Sequence, residues 1–177
     1  MITLIVGKPN SGKSRMAEDI SLKLAQGRKR YYIATMIPFG VEGQERIEKH
    51  RKMREGKGFI TLEWPDDIAA RITEGEIDFN GSVVLLECIS NLTGNEMHSE
   101  DGQKISDEQI VCKILDGIRR LSQKAEELVV VTNKFDLEEA DYDDDTKRYI
   151  GLTDRVNAEL TSMSDKTYAY IDGEWNE

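Results

Sequence analysis

Gly7, Gly12, Lys13 and Ser14 stand at the spacing G-x-x-x-x-G-K-[S/T] in the stretch Gly7-Lys8-Pro9-Asn10-Ser11-Gly12-Lys13-Ser14, which is the phosphate-loop pattern. The chemistry this spacing supports is the binding of a triphosphate. Two glycines let the backbone curl so that consecutive N–H groups point inward at phosphate oxygens, where side chains would block the approach. Lys13 then reaches the β and γ phosphates, and Ser14 holds Mg²⁺. A second set is Arg46, His50 and Arg54. Each follows the last by one helical turn, so a helix there offers an imidazole between two guanidiniums on one face. Such a face suits phosphate, and a neutral imidazole is a good nucleophile near pH 7. The third group is Glu87, at the end of the apolar run Ser82-Val83-Val84-Leu85-Leu86. A strand-end carboxylate beside a phosphate loop orients Mg²⁺ or its water, so Ser14 and Glu87 form the candidate metal pair.

Positioning these groups requires a strand before the loop and a helix after it. Ile2–Val6 supplies the strand and Lys13–Ala25 the helix, whose free N–H groups and dipole add to the anion site. Strands and helices then alternate. Tyr31–Thr35 reads as a strand, Met36 to Gly43 as a flexible connection, and Gln44 to Glu55 as a highly charged helix that has little core to bury and borders a cleft or a subunit contact. Phe59–Leu62 reads as a short strand, with Pro65 in the first turn of a helix through Ile72. After the strand ending at Glu87, Asn95 to Ser106 reads as a mobile polar segment containing a solvated His98. Asp107–Lys124 is an amphipathic helix, Leu128–Thr132 a strand, Glu138 to Asp145 an acidic loop, Thr146–Met163 a helix, and Thr167–Ile171 the closing strand. This order predicts an α/β, phosphate-loop NTPase-like three-layer fold with a mainly parallel sheet and helices on both faces.

The bulk properties fit one nucleotide-binding domain over residues 1–177. A net charge of −10 argues against a nucleic-acid or anionic-membrane surface, since both depend on basic residues. Without a membrane-length apolar run or a leader pattern, the chain is expected to be cytoplasmic. Cys88 and Cys112 make neither a disulfide framework nor a metal cluster and read as small hydrophobes.

Asn133-Lys134-Phe135-Asp136 matches the N-K-x-D guanine reader of GTP switch proteins. The helix with Arg46, His50 and Arg54, between the loop and this motif, has no counterpart in those proteins. The four residues are therefore read as a strand end with a polar turn.

Taken together, the motifs resemble the bifunctional adenosylcobinamide kinase and adenosylcobinamide-phosphate guanylyltransferase family. Leu4 to Glu18 with Tyr32-Ile33-Ala34-Thr35 is similar to the start of that family. Arg46-Ile47-Glu48-Lys49-His50-Arg51-Lys52-Met53-Arg54 is similar to its R-I-x-x-H-x-x-x-R segment, and Thr61-Leu62-Glu63 to its T-x-E. Leu85-Leu86-Glu87-Cys88 matches its L-L-E-C, Val131-Thr132-Asn133 its V-T-N, and Arg155-Val156-Asn157 lies in its G-R-V-N-x-x-L helix. The resemblance covers nearly the whole chain.

What it implies is a homotrimer that uses GTP, ATP and Mg²⁺ on a corrinoid. A triphosphate phosphorylates the aminopropanol hydroxyl of adenosylcobinamide, GTP then places GMP on a histidine, and the GMP passes to the phosphorylated corrinoid to give adenosylcobinamide-GDP. The resemblance carries over as nucleotide contacts Gly7, Lys8, Pro9, Asn10, Ser11, Gly12, Lys13 and Ser14, then Thr35, Met36 and Ile37. It also carries over Arg51, Lys52, Met53 and Arg54, with Glu63 and Glu87, and it makes His50 the guanylylated residue, with Lys13 as its catalytic partner. Two stretches depart from the family. Residues 134–141 contain no glycine or proline where the family has E-V-G-x-G-I-V-P, and Asp172 to Glu177 replaces its S-G-I-P-x-x-L-K. A divergent relative with another acceptor or one lost step is the alternative, and a GTP-dependent switch or binding protein is a further one.

Overall fold

The computed structural model describes residues 1–135 and 142–177. Among these, β1 is Ile2–Gly7, α1 Lys13–Ala25, β2 Arg30–Ala34, α2 Gly40–Arg54, β3 Ile60–Glu63 and α3 Ile68–Glu74. Then come β4 Val83–Glu87, α4 Ile89–His98, α5 Asp107–Lys124, β5 Glu127–Asn133, α6 Asp144–Met163, β6 Lys166–Ile171 and β7 Glu174–Asn176. They form one seven-stranded sheet in the order β3-β2-β4-β5-β1-β6-β7. Every neighbouring pair is parallel except β6 and β7.

Strand periodicity sorts the buried side chains into two cores. Leu4, Ile33, Val84, Leu86 and Val130 pack with residues of α4, α5 and α6 on one face. Ile5, Tyr32, Leu85, Val129 and Val131 pack against Ala17 of α1 on the other. Successive residues of a strand point to opposite faces, so the continuous apolar runs of β1, β4 and β5 are what a sheet covered on both sides requires. The expected α/β three-layer architecture is therefore the one found.

Several local expectations need correction. α2 begins at Gly40 and not at Gln44, with Gly43 inside the helix and packed against the Pro38 backbone. Pro65 lies outside α3, whose N-cap is Asp67, the carboxylate accepting from Ala70 N at 3.0 Å. Asn95 and His98 belong to α4 and not to a mobile loop. Glu96 there is buried, accepting from Asp67 N at 2.6 Å and pairing with Lys113 at 2.9 Å, so its polarity reflects a tertiary partner and not exposure. His98 ends the helix and bonds Asp145 at 2.9 Å, a contact that raises its pKa. α6 starts at Asp144, capped by Asp143. β7 was not expected; Trp175 packs edge-on to Tyr170 across the β6–β7 pair, with ring centroids 5.3 Å apart. Residues 136–141, which hold Asp136 and most of the departure after V-T-N, lie outside the described residues.

Candidate functional site

β1 delivers the chain to the loop, and two glycines show why the loop needs them. A β carbon on Gly7 would lie 2.5 Å from Ser11 Oγ, and Gly12, the N-cap of α1, has a φ of +85°. Any other residue would force the Ser11 hydroxyl to swing away at the first and is strained at the second. Lys13 and Ser14 then open α1 and face a pocket at the C-terminal ends of β2 and β4, roofed by α2. Lys13 is buried and donates to Lys8 O at 3.2 Å. Burial lowers its pKa, against the opposing pull of the neighbouring Cys88 and Glu87.

Glu87, the buried last residue of β4, is where the site's groups converge. The Ser14 hydroxyl donates to Glu87 Oε1, the Tyr32 hydroxyl donates to Oε2 at 3.0 Å, and His50 Nδ1 lies 3.8 Å from Oε1. Burial, followed by the adjacent Glu87 charge, raises the Tyr32 pKa well above its ordinary value, so this phenol stays a donor to the carboxylate. Tyr32 belongs to the Tyr32–Thr35 match, which gives it no role; the register of β2 beside β4, which pairs Tyr32 with Leu85, brings it to the site.

The polar helix α2 presents Arg46, His50, Arg51 and Arg54 to the pocket, as the one-turn spacing predicts. Arg54 differs from the expected free phosphate clamp. It is buried, with its guanidinium 3.5 Å above the Tyr32 ring and Nη1 donating to His50 O at 3.0 Å. The stack fixes both the helix and the imidazole it carries. At the rim, Arg51 pairs with Glu63 at 2.6 Å, both exposed.

The remaining candidates are divided. Met36 lines the pocket. Thr35 is fully buried and structural: its hydroxyl donates to Cys88 O at 2.8 Å and accepts from Cys88 N at 2.7 Å. Ile37 is exposed, and Lys52 and Met53 face away from the pocket, Lys52 pairing with Glu48. Asn91 and Asn133 line the pocket unexpectedly. Asn133 ends β5 beside Gly7 and is buried, its amide donating to Ser90 Oγ at 2.6 Å.

Three atoms on the pocket wall, His50 Nδ1, Arg54 Nε and Asn133 Oδ1, are buried with no hydrogen-bond partner in the protein. Buried polar groups are nearly always paired, and these three, like Ser11 Oγ, Glu18 Oε1 and Glu127 Oε2, are exceptions. Among the described residues no group of three or more His, Cys, Asp or Glu side chains forms a metal cage. Ser14 and Glu87 supply two adjacent oxygens, which fits a hard cation that takes its other ligands from phosphate and water.

A family model described as cobinamide kinase / cobinamide phosphate guanyltransferase matches residues 3–175. The chain is 26% identical over 181 residues to the bifunctional adenosylcobalamin biosynthesis protein CobU of Escherichia coli (strain K12), a match covering 98% of this chain and 97% of that one. Among solved structures, the flagellar accessory protein FlaH from Methanocaldococcus jannaschii aligns with a TM-score of 0.51 and 15% identity, over 98% of this chain and 74% of that one. The ATPase domain of G40P aligns with a TM-score of 0.55 and 10% identity, over 98% of this chain and 72% of that one. At those identities the likeness is one of fold, that of phosphate-loop nucleoside triphosphatases. No helix among the described residues is long and apolar enough to cross a membrane.

Proposed function

Because the chain belongs to the cobinamide kinase / cobinamide phosphate guanyltransferase family, we propose that the pocket beneath α2 serves both transfers, with His50 as the covalent carrier of GMP. The observation that supports this is the meeting of His50 with Lys13, Ser14 and Glu87, brought from three elements to one pocket.

In the first step the loop N–H groups and Lys13 hold the triphosphate of ATP or GTP. The aminopropanol hydroxyl of adenosylcobinamide attacks the γ phosphorus, the bond to the β–γ bridging oxygen breaks, and the nucleoside diphosphate leaves. Positioning and charge neutralisation carry most such transfers. In the second step the lone pair of the His50 imidazole attacks the α phosphorus of GTP, the bond to the α–β bridging oxygen breaks, and pyrophosphate leaves. A phosphate oxygen of the phosphorylated corrinoid then attacks the same phosphorus, the P–N bond breaks, and adenosylcobinamide-GDP forms. Mg²⁺ held by Ser14 and Glu87 would neutralise charge on the phosphates in both transfers. Arg46 adds a second cation on the His50 side, and the Arg54–Tyr32 stack holds the imidazole in place. Nucleotide contact by Thr35, Ile37, Lys52 and Met53 would run through backbone atoms or a neighbouring subunit of a homotrimer. The acidic composition favours an enzyme of small molecules without nucleic-acid partners.

GTP labelled at the α or the γ phosphate, with and without adenosylcobinamide, tests the assignment. Covalent α label on the protein, lost in acid, kept in base and absent from His50→Asn, is expected. Transfer of γ label to the corrinoid by that same variant is expected too. An adduct on His50→Asn, or none on the wild type with GTP and Mg²⁺, would refute the histidine carrier.

A further inference from the structure

The two transfers place opposite demands on one triphosphate cradle. Phosphoryl transfer reacts at the γ phosphorus, whereas guanylyl transfer reacts at the α phosphorus. His50 lies on the side of Lys13 and Ser14 that faces Glu87, and the reading above brings the acceptor hydroxyl to the same pocket. A nucleotide that points its γ phosphate into that pocket must carry its α phosphate and nucleoside out past the opposite side of the α1 N-terminus.

A groove lies on that side. Gly12, Arg15, Met16 and Ile20 form one wall, and Tyr168 of β6 and Trp175 of β7 form the other. Trp175 is partly buried and touches the loop itself: a β carbon on Gly7 would lie 3.2 Å from its Cη2. Met16, Ile20, Tyr168 and Trp175 all rest on the apolar cluster of this sheet face, so the walls are anchored. An indole offers a broad π surface for a base, and Arg15, directly after Ser14, stands where a cation would meet the α phosphate. We propose that this groove seats the purine of the triphosphate that donates its γ phosphate, while the guanylylating GTP lies reversed, with its nucleoside on the Glu87 side. The proposal rests on the phosphate-loop reading given above.

Equilibrium binding of two Mg²⁺-loaded probes tests it, the non-hydrolysable adenosine triphosphate analogue AMP-PNP and inorganic tripolyphosphate. Trp175→Ala is expected to weaken AMP-PNP binding about 10-fold or more, the loss of one base–aromatic stack, and to leave tripolyphosphate binding unchanged. Trp175→Phe should recover most of the AMP-PNP affinity. In the wild type, AMP-PNP should alter tryptophan emission, tripolyphosphate should not, and Trp175→Phe should abolish the change. Equal weakening of both probes by Trp175→Ala would make Trp175 a prop for the loop and overturn the subsite, as would no weakening of either. If the wild type binds neither probe, the phosphate-loop reading fails first and takes the subsite with it.

Discussion

His50 Nδ1 lies 3.8 Å from Glu87 Oε1, and the same oxygen accepts the Ser14 hydroxyl, so one buried carboxylate links the histidine helix to the phosphate loop. Replacing Glu87 with Gln keeps the shape and removes the charge. Guanylylation of His50 should fall about 100-fold or more, since the charge that places Mg²⁺ against the departing pyrophosphate is gone. The initial rate of α-label incorporation across a Mg²⁺ titration measures this, and an unchanged rate would exclude Glu87 from the metal pair.

Lys13→Ala should abolish tight triphosphate binding and both transfers without unfolding the protein. Burial already disfavours the Lys13 charge and lowers its pKa, so the native state loses little when the ammonium is removed. A thermal midpoint within a few degrees of wild type, alongside lost GTP affinity, is expected for a change of about 1 kcal/mol or less. Retained GTP affinity would contradict the loop assignment.

The docking of α2 should depend on a half-buried ion pair. α2 buries only Gly43 and Arg54, and just beyond it Lys57 pairs at 2.5 Å with Glu18 of α1, which is completely buried. Lys57→Ala leaves that carboxylate without its partner and should destabilise the fold by about 3 kcal/mol. Adding Glu18→Gln should recover part of the loss. Urea denaturation of the two variants gives the comparison; a Lys57→Ala midpoint equal to wild type would show that the pair contributes nothing.

Tyr149 sets an alkaline limit. Burial raises its pKa from 10.0 to about 12, so between those values the unfolded state has released the proton and the folded state retains it. The contribution to stability is therefore fully present below pH 10 and is lost as the pH rises toward 12. Stability measured from pH 9 to 11.5 should fall less steeply for Tyr149→Phe than for the wild type. Parallel slopes would show that this phenol titrates normally.

Asp136→Asn should leave the preference for GTP over XTP nearly unchanged. Asn133, the first residue of the N-K-x-D match, is held in the fold, its side-chain amide donating to Ser90 Oγ and its backbone carbonyl accepting from Asn157 Nδ2 at 2.9 Å. A guanine reader would instead switch toward XTP, because its aspartate accepts two bonds that an amide cannot both accept. Competition between the two nucleotides for the His50 adduct decides the matter.

The sequence alone determined the features that depend on neighbours along the chain. The Gly7–Ser14 spacing, the continuous apolar runs of β1, β4 and β5, and the one-turn repeat of Arg46, His50 and Arg54 are all local regularities of backbone geometry, and each holds in the fold. Tertiary structure decided which of those groups meet. Tyr32 enters the site because β2 lies beside β4, Asn133 because β5 ends beside Gly7, and Arg54 becomes a buried stack because the Tyr32 ring lies beneath it. The helix α4 was hidden for the same reason: the polar letters of Glu96 and its neighbours read as solvent, whereas Lys113 and the Asp67 amide, distant in the chain, supply the partners that let Glu96 be buried. A side chain's partner across the sheet or between helices is set by strand order and packing, and no periodicity along one segment encodes it.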